Sequence, residues 1–184
     1  MADQDPGTQS NGSGMPESAP QAATLAQYIK DLSVESPNAP ACFQWQSQPQ
    51  LDVQFNIAVD RVADEVHEVV LKVEVSAKSD QGVHFLIDLS YAGLFGLRNI
   101  PEDALPPFLL MEAPRLIFPF ARQIISDASQ QMGFPALMLD PIDFSQAYMA
   151  QLEALEAQAQ AQGAGANGNG ATTQPAAEAP ADDD

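Results

Sequence analysis

Three stretches of this chain alternate apolar and polar residues almost without error, and that alternation admits few folds. In 51–60, "LDVQFNIAVD", Leu51, Val53, Phe55, Ile57 and Val59 share one face, opposite Asp52, Gln54 and Asn56. Residues 68–77, "EVVLKVEVSA", set Val69, Leu71, Val73, Val75 and Ala77 against Glu68, Lys72 and Glu74. Residues 83–91, "VHFLIDLSY", set Val83, Phe85, Ile87, Leu89 and Tyr91 against His84, Leu86, Asp88 and Ser90. Side chains alternate sides along a strand, so period two with one polar face predicts antiparallel strands packed on one side only. A shorter piece, "KDLSVES" (30–36), adds a first strand, with Leu32 and Val34 facing one way and Asp31, Ser33 and Glu35 the other. The segments "DRVADEV" (60–66) and "KSDQG" (78–82) read as polar hairpin turns.

The connection between the first two strands is different. "SPNAPACFQWQSQPQ" (36–50) has three prolines, no period, and the only Cys and Trp of the chain. A connection of that length inside a compact domain is usually functional or misassigned, and the prolines argue against misassignment. Phe43 and Trp45 in its middle either close a satellite of the core or roof a groove, and spacing leaves both open. Tyr148, Met149 and Met138 would supply adaptable apolar surface beside such a groove.

Helices follow the strands. "PRLIFPFARQIISDASQQMG" (114–133) places Ile117, Ala121, Ile124, Ala128 and Met132 at near-helical spacing, with Gly133 as a stop. A last helix is expected from Asp143, with Phe144, Tyr148, Leu152 and Leu155 on one stripe. Strands first and helices after predict an α+β fold: a four-stranded antiparallel sheet with helices packed on one face. The expected folded unit is 23–160. Residues 1–22 and 161–184 hold little that could offset about 1–2 kcal/mol of backbone entropy per ordered residue, so both are expected to be disordered tails.

Charge narrows the partners. There are 25 acids and 7 bases, a net charge of −18, and seven acids but no bases lie outside 25–160. The domain itself is therefore acidic, which excludes a nucleic-acid binder and disfavours an anionic membrane surface. A basic protein is the natural complement, with solubility as the plainer account. Catalytic signatures are missing. His67 and His84 read as surface residues and begin no metal-ligand motif, Cys42 reads as a small apolar loop residue, and "GLFGL" (93–97) lacks the residues of a phosphate loop. No metal and no cofactor are expected. An enzyme would need a buried, perturbed carboxylate, and every strand acid falls on a polar face. No stretch reaches the length of a membrane span and no secretory signal opens the chain, so the cytoplasm is the expected compartment.

Five motifs then carry a resemblance: "KDLSVESPNAP", "FLIDLSYAGLF", "LIFPFARQIIS", "FPALMLDPIDF" and the following "AYM". In content and order they resemble the SecB family of protein-export chaperones, across nearly all of 25–155. The resemblance implies a nucleotide-independent holdase that binds unfolded precursors in the bacterial cytosol and delivers them to the SecA ATPase. A relative serving a toxin–antitoxin system is the alternative within the family. It implies a homotetramer, a dimer of dimers with helices between two layers of sheet. It places Phe43 and Trp45 at a groove for unfolded peptide, and the adaptable Tyr148 and Met149 are expected to bind unfolded peptide with them. It maps the SecA contacts onto Asp31, Glu35, Leu86 and Asp88, with Asp88 standing where Glu is expected. It maps subunit assembly onto Ile87, Leu89 and Tyr91.

Overall fold

A computed structural model describes residues 19–150 and 152–154. Four long strands, β1 (Gln21–Glu35), β2 (Gln50–Ala63), β3 (Val66–Ser79) and β4 (Gly82–Arg98), form one antiparallel sheet in the order β1-β4-β3-β2. β2, β3 and β4 are joined by tight hairpins, Glu65 taking the left-handed conformation of one turn at φ 57°. β1 lies beside β4, so the chain must cross the width of the sheet to begin β2. That is why the proline-rich 36–49 connection is long: it closes a Greek key.

After β4 come α1 (Leu105–Pro107), a π-helical turn (Phe108–Glu112) and α2 (Ala113–Gln131). Pro119 lies inside α2 and removes one backbone donor there. α2 covers one face of β3 and β4. Val69, Leu71 and Val73 of β3, Leu89 and Phe95 of β4, and Ile117, Ala121 and Ile125 of α2 are all completely buried. Burying each large aliphatic among them contributes about 1.5–3 kcal/mol. The helix seam therefore runs through Ile125, while Ile124, Ala128 and Met132 pack at the margin of the core. Gly93 lets α2 come close, since a Cβ there would lie 2.9 Å from Ile117 Cγ2.

The edge strands are covered much less. Almost every residue of β1 is exposed, including Ile29, Leu32 and Val34, and β2 exposes Leu51, Val53 and Phe55. The strands also run longer than the alternation predicts. Register shifts at Thr24/Ala26 and Ile29/Asp31 break the period in β1, which hides its first half from a period-two reading. The "GLFGL" tract is simply the end of β4. The described residues up to Phe144 form one compact unit and those from Ser145 a second. Of the second, 145–150 and 152–154 are helical. The expected tails and Leu155 lie outside the described residues, save for 19–22, of which 21 and 22 open β1.

Candidate functional site

The crossing loop is built as a wall. Ser36 Oγ donates to the His84 carbonyl at 3.0 Å and Asn38 Nδ2 to the Val83 carbonyl at 2.9 Å, tying its start to the head of β4. Ser47 Oγ donates to Asp80 Oδ1 at 2.7 Å, tying its end to the β3–β4 turn. Between these anchors a 3-10 turn (Ala41–Gln44) buries Cys42 and turns Phe43 outward, 51% exposed. The Phe43 ring lies 5.3 Å from Phe134, which lies 4.9 Å from Phe85. Trp45 meets His84 edge-on at 4.8 Å. With Leu51, Pro135 and Leu137 these rings line an open, largely apolar groove of about 500 Å³.

Two glycines set its depth. Gly133 ends α2 at φ 89°, where a Cβ would lie 3.2 Å from the Phe43 ring. Gly82 opens β4 at φ 140°, where a Cβ would lie 3.0 Å from Trp45 Cη2. Both aromatic residues thus rest on glycine backbone at positions that L side chains rarely adopt.

His84 corrects the sequence reading. The register shifts between Ala77 and Lys78, whose partners are Phe85 and Val83, so His84 is the extra residue of a bulge. It is buried, with Nε2 2.9 Å from Ser79 Oγ, and forms part of the groove wall. His67 is half-buried, and desolvation together with Arg61 pushes its pKa down. Among the described residues no three His, Cys, Asp or Glu side chains gather as a metal site.

The opposite face of the sheet is acidic. Glu35 pairs with Leu86, Ser33 with Asp88 and Asp31 with Ser90, so Asp31, Glu35, Leu86 and Asp88 share the outer face of neighbouring strands. Glu35, Leu86 and Asp88 line one depression of about 390 Å³ together with Asp52 and Glu74. Lys72 Nζ lies 2.8 Å from Glu74 and 3.3 Å from Asp88, and these carboxylates hold its pKa above the ordinary value. Alternation separates the two surfaces sharply: Phe85 faces the groove and Leu86, its neighbour, faces outward.

One acid is buried. Glu68 is 7% exposed and accepts hydrogen bonds from the Tyr28 hydroxyl and from Lys30 Nζ at 2.5 Å. The Lys30 contact first, then Tyr28, holds its pKa below the usual range against the opposing effect of burial. It is a fixed, ionised group, the reverse of a carboxylate poised to take a proton at neutral pH.

The remaining expected residues divide. Ile87, Leu89 and Tyr91 lie inside the subunit beneath α2, with the Tyr91 ring stacked on exposed Phe120 at 6.4 Å. Tyr148, half-buried, and Met149, exposed, belong to the second unit. Phe85, Phe134 and Leu137 are groove residues that no local pattern announces, because the fold brings them together from β4 and from the turn after α2.

A family model for preprotein translocase subunit SecB matches residues 16–155. The chain belongs to the SecB family. A protein-export protein SecB from Sphingopyxis alaskensis is 54% identical over 153 residues, covering 83% of this chain and 87% of that protein. Its counterpart in Zymomonas mobilis is 57% identical over 134 residues, covering 73% and 82%. In structure the chain resembles a Mycobacterium tuberculosis SecB-like chaperone solved with an antitoxin peptide, with a TM-score of 0.55 at 17% identity, covering 66% of this chain and 90% of that one. That likeness concerns the fold. Membership of the SecB family makes this chain a protein-export chaperone and not an enzyme.

Proposed function

We propose that this SecB-family chain works as a homotetrameric holdase that needs no nucleotide. Unfolded precursors lie in the groove walled by Phe43 and Trp45, Tyr148 and Met149 of the second unit serve as further client contacts, and the loaded chaperone docks on SecA through Asp31, Glu35, Leu86 and Asp88. The observation that carries this reading is the placement of an apolar groove and an acidic face on opposite sides of one strand, so that both are available at once. Unfolded chains expose apolar side chains and unpaired backbone, which an open aromatic groove takes with little sequence discrimination. Repetition over several subunits raises the hold on long clients through effective concentration.

Assembly is supported by what the subunit leaves uncovered. Leu116 and Phe120 of α2 and Ile29, Leu32 and Val34 on the inner face of β1 are large apolar side chains in water. Such a surface suits a symmetric interface between copies. Ile87, Leu89 and Tyr91 act on assembly from beneath, by setting the height of α2 and Phe120. The export role takes precedence over a toxin–antitoxin role because the relatives at about 50% identity are export proteins. The cytosol is where such a holdase meets its clients, and no helix among the described residues is long and apolar enough to cross a membrane.

The test reverses the docking charge. Asp31→Lys with Asp88→Lys should weaken SecA binding by roughly tenfold or more, as buried or rim charge reversals do, and leave client holding unchanged. Equal loss of both activities would remove the separate docking face.

A further inference from the structure

The docking acids owe their direction to an irregularity in β1. Tyr28 and Asp31 are three residues apart, as are Ile29 and Leu32. In an unbroken strand such pairs point to opposite faces. Here the register slips between Ile29 and Asp31, leaving Lys30 as the extra residue of a bulge. Across it, Tyr28 and Asp31 both face outward, opposite Ala92 and Ser90 on β4, and Ile29 and Leu32 both face inward, opposite Tyr91 and Leu89.

Few other side chains specify that register: Gln27 accepts from the Tyr91 hydroxyl at 3.5 Å, and Ser36, just beyond the strand, donates to the His84 carbonyl. It is an edge strand, exposed along nearly its whole length, and a slip of one residue would exchange Asp31, Ser33 and Glu35 for Leu32 and Val34. The charged tie is at the bulge. Tyr28 and Lys30 both reach over β4 to a single carboxylate on β3, the buried Glu68. Ala92, which partners Tyr28 and points to this outer face, is completely covered. A buried carboxylate satisfied by an ammonium and a hydroxyl is strongly held, and losing a donor would leave its charge uncompensated.

We infer that Glu68 is a positioning residue for the docking face: its clasp on Tyr28 and Lys30 fixes the bulge, and the bulge fixes which side chains of β1 face outward. The inference rests on the reading of Asp31 and Glu35 as docking acids, although Glu68 itself lies outside that surface.

The experiment compares the full chain with Glu68→Gln, Lys30→Glu, the exchanged pair Lys30→Glu with Glu68→Lys, and Asp31→Lys as reference. SecA affinity, client holding and amide hydrogen exchange of β1 are measured on each. Glu68→Gln and Lys30→Glu should each weaken docking roughly 2- to 30-fold, the range of residues that act through another. Client holding should stay unchanged, exchange should quicken in residues 28–35, and the exchanged pair should recover most of the docking. Wild-type docking by Glu68→Gln while Asp31→Lys fails to dock would overturn the inference alone. No recovery by the exchanged pair, or equal loss of docking and holding, would also overturn it. Full docking by Asp31→Lys would remove the underlying docking face instead.

Discussion

Glycine decides the groove at the scale of single residues. Phe43 is held out over water by a loop anchored at both ends, and what lies beneath its ring is the backbone of Gly133 at φ 89°. Alanine there would suffer twice, from the left-handed backbone and from a Cβ 3.2 Å from the ring. Gly133→Ala should therefore cost about 1–2 kcal/mol of stability and displace Phe43, lowering client affinity while SecA binding stays unchanged. Thermal unfolding and client titration of the variant would check both. A variant with weakened stability but wild-type client affinity would show that the position of Phe43 is immaterial. His84 teaches a related point. Its place in the sequence assigns it to the polar face, yet one extra residue in the β3–β4 pairing turns it under Trp45. A single-residue bulge leaves no mark in composition or period.

Elements differ in how openly the sequence declares them. β3 and the first half of β4 alternate cleanly because one face of each meets the core and the other meets water, and β2 alternates too although its Leu51, Val53 and Phe55 stay exposed. β1 is legible only from Lys30 onward, where its second bulge ends. The acidic face was readable as two separate polar faces, and the pairing of Glu35 with Leu86 and Ser33 with Asp88 joins them. Glu68 could not be distinguished from Glu74, since the difference lies in donors 38 and 40 residues away on another strand. The groove was half legible: its loop announced itself by prolines and aromatics, whereas Phe134 and Leu137 are ordinary residues until the turn after α2 folds back. α2 carries its own prediction. Its inner seam is complete within the subunit, yet Leu116 and Phe120 remain about half exposed. Leu116→Lys with Phe120→Lys should leave circular dichroism unchanged and reduce the mass in solution from the proposed tetramer to a dimer. Retention of the tetramer would place the helix outside the interface between dimers.

For the molecule as a whole, charge and apolar surface are segregated rather than mixed. One side of the sheet carries the helix, the groove and most of the uncovered apolar residues. The other side carries carboxylates, held in register by an edge strand clasped to β3. A holdase needs that separation, because a client bound through apolar contacts must leave the docking face free for its receiver. Net negative charge keeps such a protein soluble despite the apolar surface it exposes, and it favours clients with basic segments. The most direct measurement is light scattering from an unfolded precursor diluted into buffer without nucleotide. Four samples would be compared: no chaperone, the wild-type chain, Phe43→Ala with Trp45→Ala, and Asp31→Lys with Asp88→Lys. The wild-type and charge-reversed proteins should both suppress aggregation, and the aromatic double variant should require roughly tenfold more protein to do so. Aggregation undiminished by the wild-type chain, or suppressed equally well without Phe43 and Trp45, would contradict the groove as the site of holding.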